Sequence, residues 1–252
     1  MIDYSIVIAA YNEESRITKT LTQTISFMNT FAPSFEIIVV DDGSKDNTYQ
    51  AVENYAKDYP EIKLIQTVHK GKANGVRTGI LKTSGRLVLA MDADLATPLD
   101  ELKRLTSWIV DNDFDIAIAS REGIGAQRQN EPFYRHIMGR VFNRLVKTAL
   151  DLKFEDTQCG FKLYKGDIGR EIFTKLVVYG DNLPEITKPF FGAFDVEVLY
   201  CAKELGYTVK EVPVKWNYVP TTRLNIVANS VKMGRDVLRI KLTGLKGAYK
   251  KV

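Results

Sequence analysis

A mostly parallel central sheet covered by helices on both faces is the fold class this sequence predicts. Short β-branched runs alternate with longer polar-apolar stretches through the first half of its 252 residues. The runs are apolar almost throughout, as in Ile37-Ile-Val-Val40 and Leu87-Val-Leu-Ala-Met91, which suits strands buried on both faces. A polar cluster follows each run, at the carboxyl edge where parallel sheets bind their ligands.

The elements are expected in βαβα order. Strands are assigned to Ser5–Ala10, Phe35–Val40, Lys63–Thr67, Arg86–Met91 and Phe114–Ala119. Helices are assigned between them to Glu14–Asn29, Asn47–Asp58, Ala73–Thr83 and Leu99–Asn112. The second half is less regular. Phe133–Leu150 carries Ile137, Met138, Val141, Phe142, Leu145 and Val146 on a helical stripe, with Arg135, Arg140, Arg144 and Lys147 largely opposite. Phe194–Leu205 reads as a helix stopped by Gly206, Thr208–Val214 as a strand, and Ile226–Leu242 as a last amphipathic helix rich in Lys and Arg.

The chemistry concentrates at the strand ends: Tyr11-Asn-Glu13, Asp41-Asp-Gly-Ser44, His69-Lys-Gly-Lys72, Asp92-Ala-Asp94 and Ser120-Arg121. Asp92 and Asp94 are two residues apart in extended chain, so their carboxylates point the same way. Such a pair suits a hard divalent cation and the ribose or pyrophosphate of a nucleotide, although alone it reads more readily as an acidic turn before Thr97-Pro98. Asp41-Asp42-Gly43-Ser44 also has a turn reading, with Gly43 left-handed and Ser44 or Asp46 capping the next helix. Together, carboxylates at three neighbouring strand ends are more specific than any one of them.

In their order, Ala10-Tyr-Asn-Glu13, Val40-Asp-Asp-Gly-Ser44, Lys70-Gly-Lys-Ala-Asn-Gly-Val-Arg77 and Asp92-Ala-Asp94 resemble family 2 glycosyltransferases of the GT-A fold. Ser120-Arg121, Pro132-Phe-Tyr-Arg135, Asp156-Thr-Gln-Cys-Gly-Phe-Lys162 and Phe194-Asp-Val-Glu197 are similar to the polyprenyl-phosphate branch of that family, most of all to dolichyl-phosphate β-glucosyltransferases. The resemblance implies an inverting transferase that moves a hexose, glucose from UDP-glucose first, onto a polyprenyl phosphate. It assigns Tyr11, Glu13 and Asp42 to the nucleoside, Lys72 and Arg77 to phosphate, and Asp92 and Asp94 to ribose, pyrophosphate and a Mg²⁺ or Mn²⁺ ion. Arg121 and Arg135 fall where that branch gathers charge around the two phosphates. Ala96 stands where related mannosyl-transferring members commonly have Gln.

A lipid phosphate is already an anion, so alignment and charge stabilisation can suffice without a strong base. A hydroxyl acceptor would need one, and Asp195 or Glu197 is the candidate; both are equally read as helix N-terminal carboxylates. Asp156–Lys162 shows no catalytic logic from residue types beyond close backbone approach at Gly160 and a lysine that could face phosphate. His69 and His136 have no metal spacing and receive no role.

Composition bounds the partners. Cys159 and Cys201 are too few for a disulfide framework, and no apolar run reaches the ~18 residues of a membrane span. From Ser230 onward seven Lys/Arg face one acid, so this end carries +6 against −2 for the rest. That asymmetry favours an anionic surface over nucleic acid, for which no base-reading module is present. The expectation is therefore a transferase domain over 1–225 and a basic amphipathic segment over 226–252, in an enzyme peripheral on the cytoplasmic face of a membrane.

Overall fold

All five early strands form, as β1 (Tyr4–Ala10), β2 (Phe35–Asp41), β3 (Ile62–Gln66), β4 (Leu87–Asp92) and β5 (Ile116–Ser120). The computed structural model describes residues 2–187, 192–220 and 226–250, without the side chains of 226–230. β1 pairs in parallel with β2 on one side and β4 on the other, and β2 pairs in parallel with β3. The chain thus winds outward to β3 and returns across β1. The point of return lies between β1 and β4, where a crevice opens at the strands' carboxyl ends.

Alternation along the strands divides the core. Val7, Val88 and Ile118 face α3 (Lys72–Ile80), α6 (Gly166–Thr174) and α7 (Phe194–Glu204). Ile6, Ile8, Ile37 and Leu89 face α1 (Ile17–Phe31) and α4 (Glu101–Val110) on the other side. Gly79 has close approach as its role, since a Cβ there would overlap the Val7 side chain beneath α3. α2 (Thr48–Ala56) covers the β2–β3 edge.

Three strands and the helix α6 were not foreseen. β7 (Lys162–Lys165) inserts antiparallel between β4 and β5, so the seven-stranded sheet runs β3-β2-β1-β4-β7-β5-β8, with β8 (Val209–Pro213) parallel to β5. A second, two-stranded ribbon pairs β6 (Gln127–Gln129) with β9 (Lys215–Asn217). The Asn217 N–H donates to the Ala96 carbonyl at 2.8 Å, which ties this ribbon to the loop after β4.

The apolar stripes of the two long helices are shared between core and solvent. On α5 (Phe133–Leu150), Val146 and Leu150 are buried, whereas Phe133, Tyr134, Ile137, Val141 and Leu145 are exposed. On α8 (Ile226–Leu245), Val237 and Ile240 enter the core, and Val231, Leu238, Leu242 and Leu245 are exposed. The two helices pack against each other. Beyond α8, Tyr249 is fully buried and donates to Glu197 Oε1 at 2.6 Å, so this end of the chain is anchored in the domain core.

Candidate active site

A cavity of about 360 Å³ opens at the carboxyl edge of the sheet, between the loop after β4 and the inner face of α5. Of the ten residues singled out from sequence, Lys72, Asp92, Asp94, Arg121, Arg135 and Asp195 line it. Tyr11, Glu13, Asp42 and Arg77 do not.

One end is carboxylate-rich. Gly71 adopts φ +96°, a left-handed conformation that turns the chain sharply into α3 and delivers Lys72 as its first residue. The Lys72 ammonium pairs with Asp92. Burial opposes that charge, but Asp92 and then Asp195 outweigh it and hold the lysine above its ordinary range. Burial likewise opposes the Asp92 carboxylate, and Lys72 overrides it and holds Asp92 below the usual range. Asp94 differs: burial and the charge of Asp92 both push it up, outweighing a backbone hydrogen bond from Ala96 N–H at 3.0 Å and the charges of Lys72 and Arg16. Gly160 has the close approach expected of it, since a Cβ there would overlap the Asp92 carboxylate.

The other end is arginine-rich, yet mostly neutralised. Arg121 makes a bidentate pair with Asp156, Nε to Oδ2 at 2.7 Å and Nη2 to Oδ1 at 2.9 Å, over the Trp216 ring. Burial opposes both charges; each partner overrides it, holding Arg121 above and Asp156 below their ordinary ranges. Arg128 is held by Glu122 at 2.6 Å and by Glu131. Arg135, in the first turn of α5, lies 5.1 Å over the Tyr218 ring and has no carboxylate partner among the described residues.

The remaining expectations sort by geometry. Asp42 is buried, and its carboxylate accepts the Lys70 and Gly71 N–H groups at 3.0 and 2.7 Å and contacts His69 Nδ1 at 2.7 Å. It therefore shapes the loop that delivers Lys72, and Gly43 is left-handed as expected. Tyr11 stacks on His69 at 3.8 Å between ring centres, a role for that histidine that spacing did not reveal. Glu13 pairs with Arg16 at 2.9 Å beside this stack.

Arg77 lies outside the cavity. Its guanidinium bonds the Phe173 carbonyl and Asp181, tying α3 to α6 rather than reaching phosphate, because position 77 faces away from the cavity on α3. Glu197 also lies outside the cavity. It is fully buried, accepts N–H bonds from Val177, Val178 and Tyr179, and serves the fold. Asp195 lines the cavity but is pinned by the buried Lys162 at 2.5 Å, so that lysine faces a carboxylate rather than phosphate. Sequence reasoning missed Asp156, Trp216 and Tyr218 as parts of the site. The aromatic-x-aromatic spacing of Trp216 and Tyr218, which puts both rings on one face of an extended strand, was the available signal.

A switch-point cavity with a carboxylate pair and a lysine at one end and arginines at the other, on this mostly parallel sheet, defines a glycosyltransferase of the GT-A fold. The chain belongs to glycosyl transferase family 2, whose model matches residues 5–173. It is 36% identical to dolichyl-phosphate beta-glucosyltransferase ALG5C of Trichomonas vaginalis over 94% of this chain and 70% of that protein. It is 34% identical to dolichyl-phosphate beta-glucosyltransferase of Dictyostelium discoideum over 98% of this chain and 76% of that one. Among solved structures it is similar in fold to glucosyl-3-phosphoglycerate synthase from Mycobacterium tuberculosis in complex with Mn²⁺, uridine diphosphate and glucosyl-3-phosphoglycerate. The TM-score is 0.62 and the identity 18%, with 96% of this chain and 79% of that one covered.

Proposed function

We propose that the chain transfers glucose from UDP-glucose to a polyprenyl phosphate of the dolichyl type, with inversion at the sugar carbon. The observation that carries this is the single cavity joining the carboxylate end to the arginine end, so that two phosphate-bearing substrates can meet inside it. The names of the relatives support the acceptor and the sugar.

Donor pyrophosphate belongs at Lys72, Asp92 and Asp94, beside the Tyr11–His69 stack and the Asp42-shaped loop. A divalent cation, Mg²⁺ or Mn²⁺, fits the donor set. Two carboxylates stand together there, Asp94 is held up by burial and by the charge of Asp92, which a cation would offset, and such ions need only one or two protein carboxylates when phosphates complete the shell. No group of three or more candidate ligands exists among the described residues, and Lys72 already engages Asp92, so Asp94 is the more direct ligand. When bound, the ion offsets charge developing on the leaving diphosphate. Arg135 holds the acceptor phosphate, and Arg121 shapes that end through Asp156. Asp195, fixed by Lys162, orients Lys72 by its charge and is not needed as a base, because the acceptor oxygen is already anionic.

No helix among the described residues is long and apolar enough to cross a membrane. The exposed apolar residues of α5 and α8, flanked by Arg140, Arg144, Arg235, Arg239 and Lys241, suit docking on the cytoplasmic face of an anionic membrane, the surface on which a polyprenyl phosphate is met. The basic segment 226–252 would then touch lipid with one side of α8 while the other packs on the core.

Labelled UDP-glucose incubated with short polyprenyl phosphate and Mn²⁺ tests the reaction; a lipid-extractable, mild-acid-labile product is expected. Absence of such a product with every common UDP- and GDP-sugar rejects it. Co-sedimentation with anionic vesicles at low salt tests the docking, and no binding there sinks it.

A further inference from the structure

The turn from Asp156 to Gly160 bridges the two ends of the cavity. It begins at the partner of Arg121 and ends against the Asp92 carboxylate. It is also held firmly. Glu211 accepts the Glu155 and Asp156 N–H groups, the latter at 2.7 Å. Asp156 accepts the Gln158 N–H at 3.1 Å, and the Lys162 ammonium donates to the Cys159 carbonyl at 2.5 Å.

Within so fixed a turn, unsatisfied polar atoms are not slack. Thr157 is 1% exposed, and among the described residues its hydroxyl has no hydrogen-bond partner; Gln158 Nε2 is buried and likewise unpartnered among them. So is Arg135 Nε, and all three residues line the same cavity. Buried polar groups are rarely left unmatched, and several unmatched donors around one cavity call for a ligand that only accepts. A phosphate does so. Asn143 Oδ1 is unpartnered as well, but it is an acceptor, since its Nδ2 donates to the Phe154 carbonyl, and it stands about 12 Å along α5 from Arg135.

We propose that Thr157 and Gln158 donate hydrogen bonds to the acceptor phosphate beside Arg135, completing an anion site in which one arginine supplies the charge and two neutral side chains supply direction. This rests on the polyprenyl-phosphate reading of the cavity. It gives Asp156–Gly160 a function: a rigid bridge that fixes the acceptor phosphate relative to Asp92 and the donor. Neutral donors suit the place, because Arg121 and Arg128 are already engaged by carboxylates.

Two isosteric variants test it. Thr157→Val and Gln158→Met remove the donors without changing shape, and each should raise KM for short polyprenyl phosphate by roughly tenfold or more, as expected for a lost bond to a charged group. The UDP-glucose KM and the UDP-induced thermal shift with Mn²⁺ should stay as in the parent enzyme, and Thr157→Ser should restore acceptor KM. A parallel arm measures decyl phosphate binding to parent and variants directly, with decanol as control, and so reads the site without turnover. Unchanged decyl phosphate affinity in both variants overturns the proposal, as does a rise in donor KM matching that for the acceptor. A parent that binds decyl phosphate through these residues yet forms no glycolipid would instead refute the functional reading alone.

Discussion

At the donor end of the cavity two carboxylates, Asp92 and Asp94, share one close cation, Lys72. At the acceptor end Arg121 and Arg128 face Asp156, Glu122 and Glu131, and Arg135 alone has no carboxylate partner among the described residues. At the first end burial, and after it the charge of Asp92, hold Asp94 above the usual carboxylate range, so a cation bound there would favour its ionised form. The second has Arg121 and Arg128 paired within the fold, and the proposed anion site there relies on one arginine and on neutral donors. Counting arginines in the sequence overstates the charge at the acceptor end. It understates how much of that charge is spent on holding the wall in place.

Breaking the paired end should cost the fold most. Arg121→Met leaves Asp156 buried without its partner, a loss expected to be about 3–5 kcal/mol in urea unfolding. If stability falls by less than 1 kcal/mol, Arg121 is not the structural member of the pair. At the donor end the expectation inverts. Asp94→Asn should lower metal-dependent turnover by about 10²–10³-fold, the scale of losing one electrostatic element of a transition state, with melting temperature unchanged or raised. Retained turnover would remove Asp94 from the metal site.

Stability against pH separates the fold from both ends. Glu36, far from the cavity, accepts from Ser5 at 2.5 Å, Lys63 at 2.6 Å and Ser84 N–H at 2.7 Å; these bonds outweigh its burial and hold it at about 2. Its folded value lies below its unfolded one, so its stabilisation is complete above the unfolded pKa and lost as pH falls through the folded value. Glu36→Gln should therefore cost on the order of 1–3 kcal/mol at pH 7, the exposed Lys63 being screened by solvent, and much less near pH 2. A difference independent of pH would contradict that assignment. The smallest effect is expected at Arg135. Arg135→Ala should raise acceptor KM about 10–100-fold while leaving donor KM and unfolding nearly unchanged, since its guanidinium holds no carboxylate among the described residues. A large loss of stability would show that Arg135 is as structural as Arg121.

The same contrast separates what was legible in the sequence from what was not. The first five strands declare themselves through apolar runs, and the carboxyl-edge rule turns their ends into a site without any coordinates. β7 escapes because Lys162-Leu-Tyr-Lys165 is short and bounded by lysines, one of which is buried only because Asp195, 33 residues away, neutralises it. Arg77 falls outside the cavity since one helical face meets the cavity and another meets α6, a difference set by packing. The long helices were read as stripes correctly, but the division of each stripe between core and solvent depends on how α5 and α8 meet. Asp156 was in view as a letter and invisible as a partner.

Glucose transfer from labelled UDP-glucose, measured side by side on a short polyprenyl phosphate and on the matching polyprenol with Mn²⁺ present, tests most directly whether the cavity is built for two phosphates. Product from the phosphate alone is predicted. Equal or preferential transfer to the alcohol would contradict it.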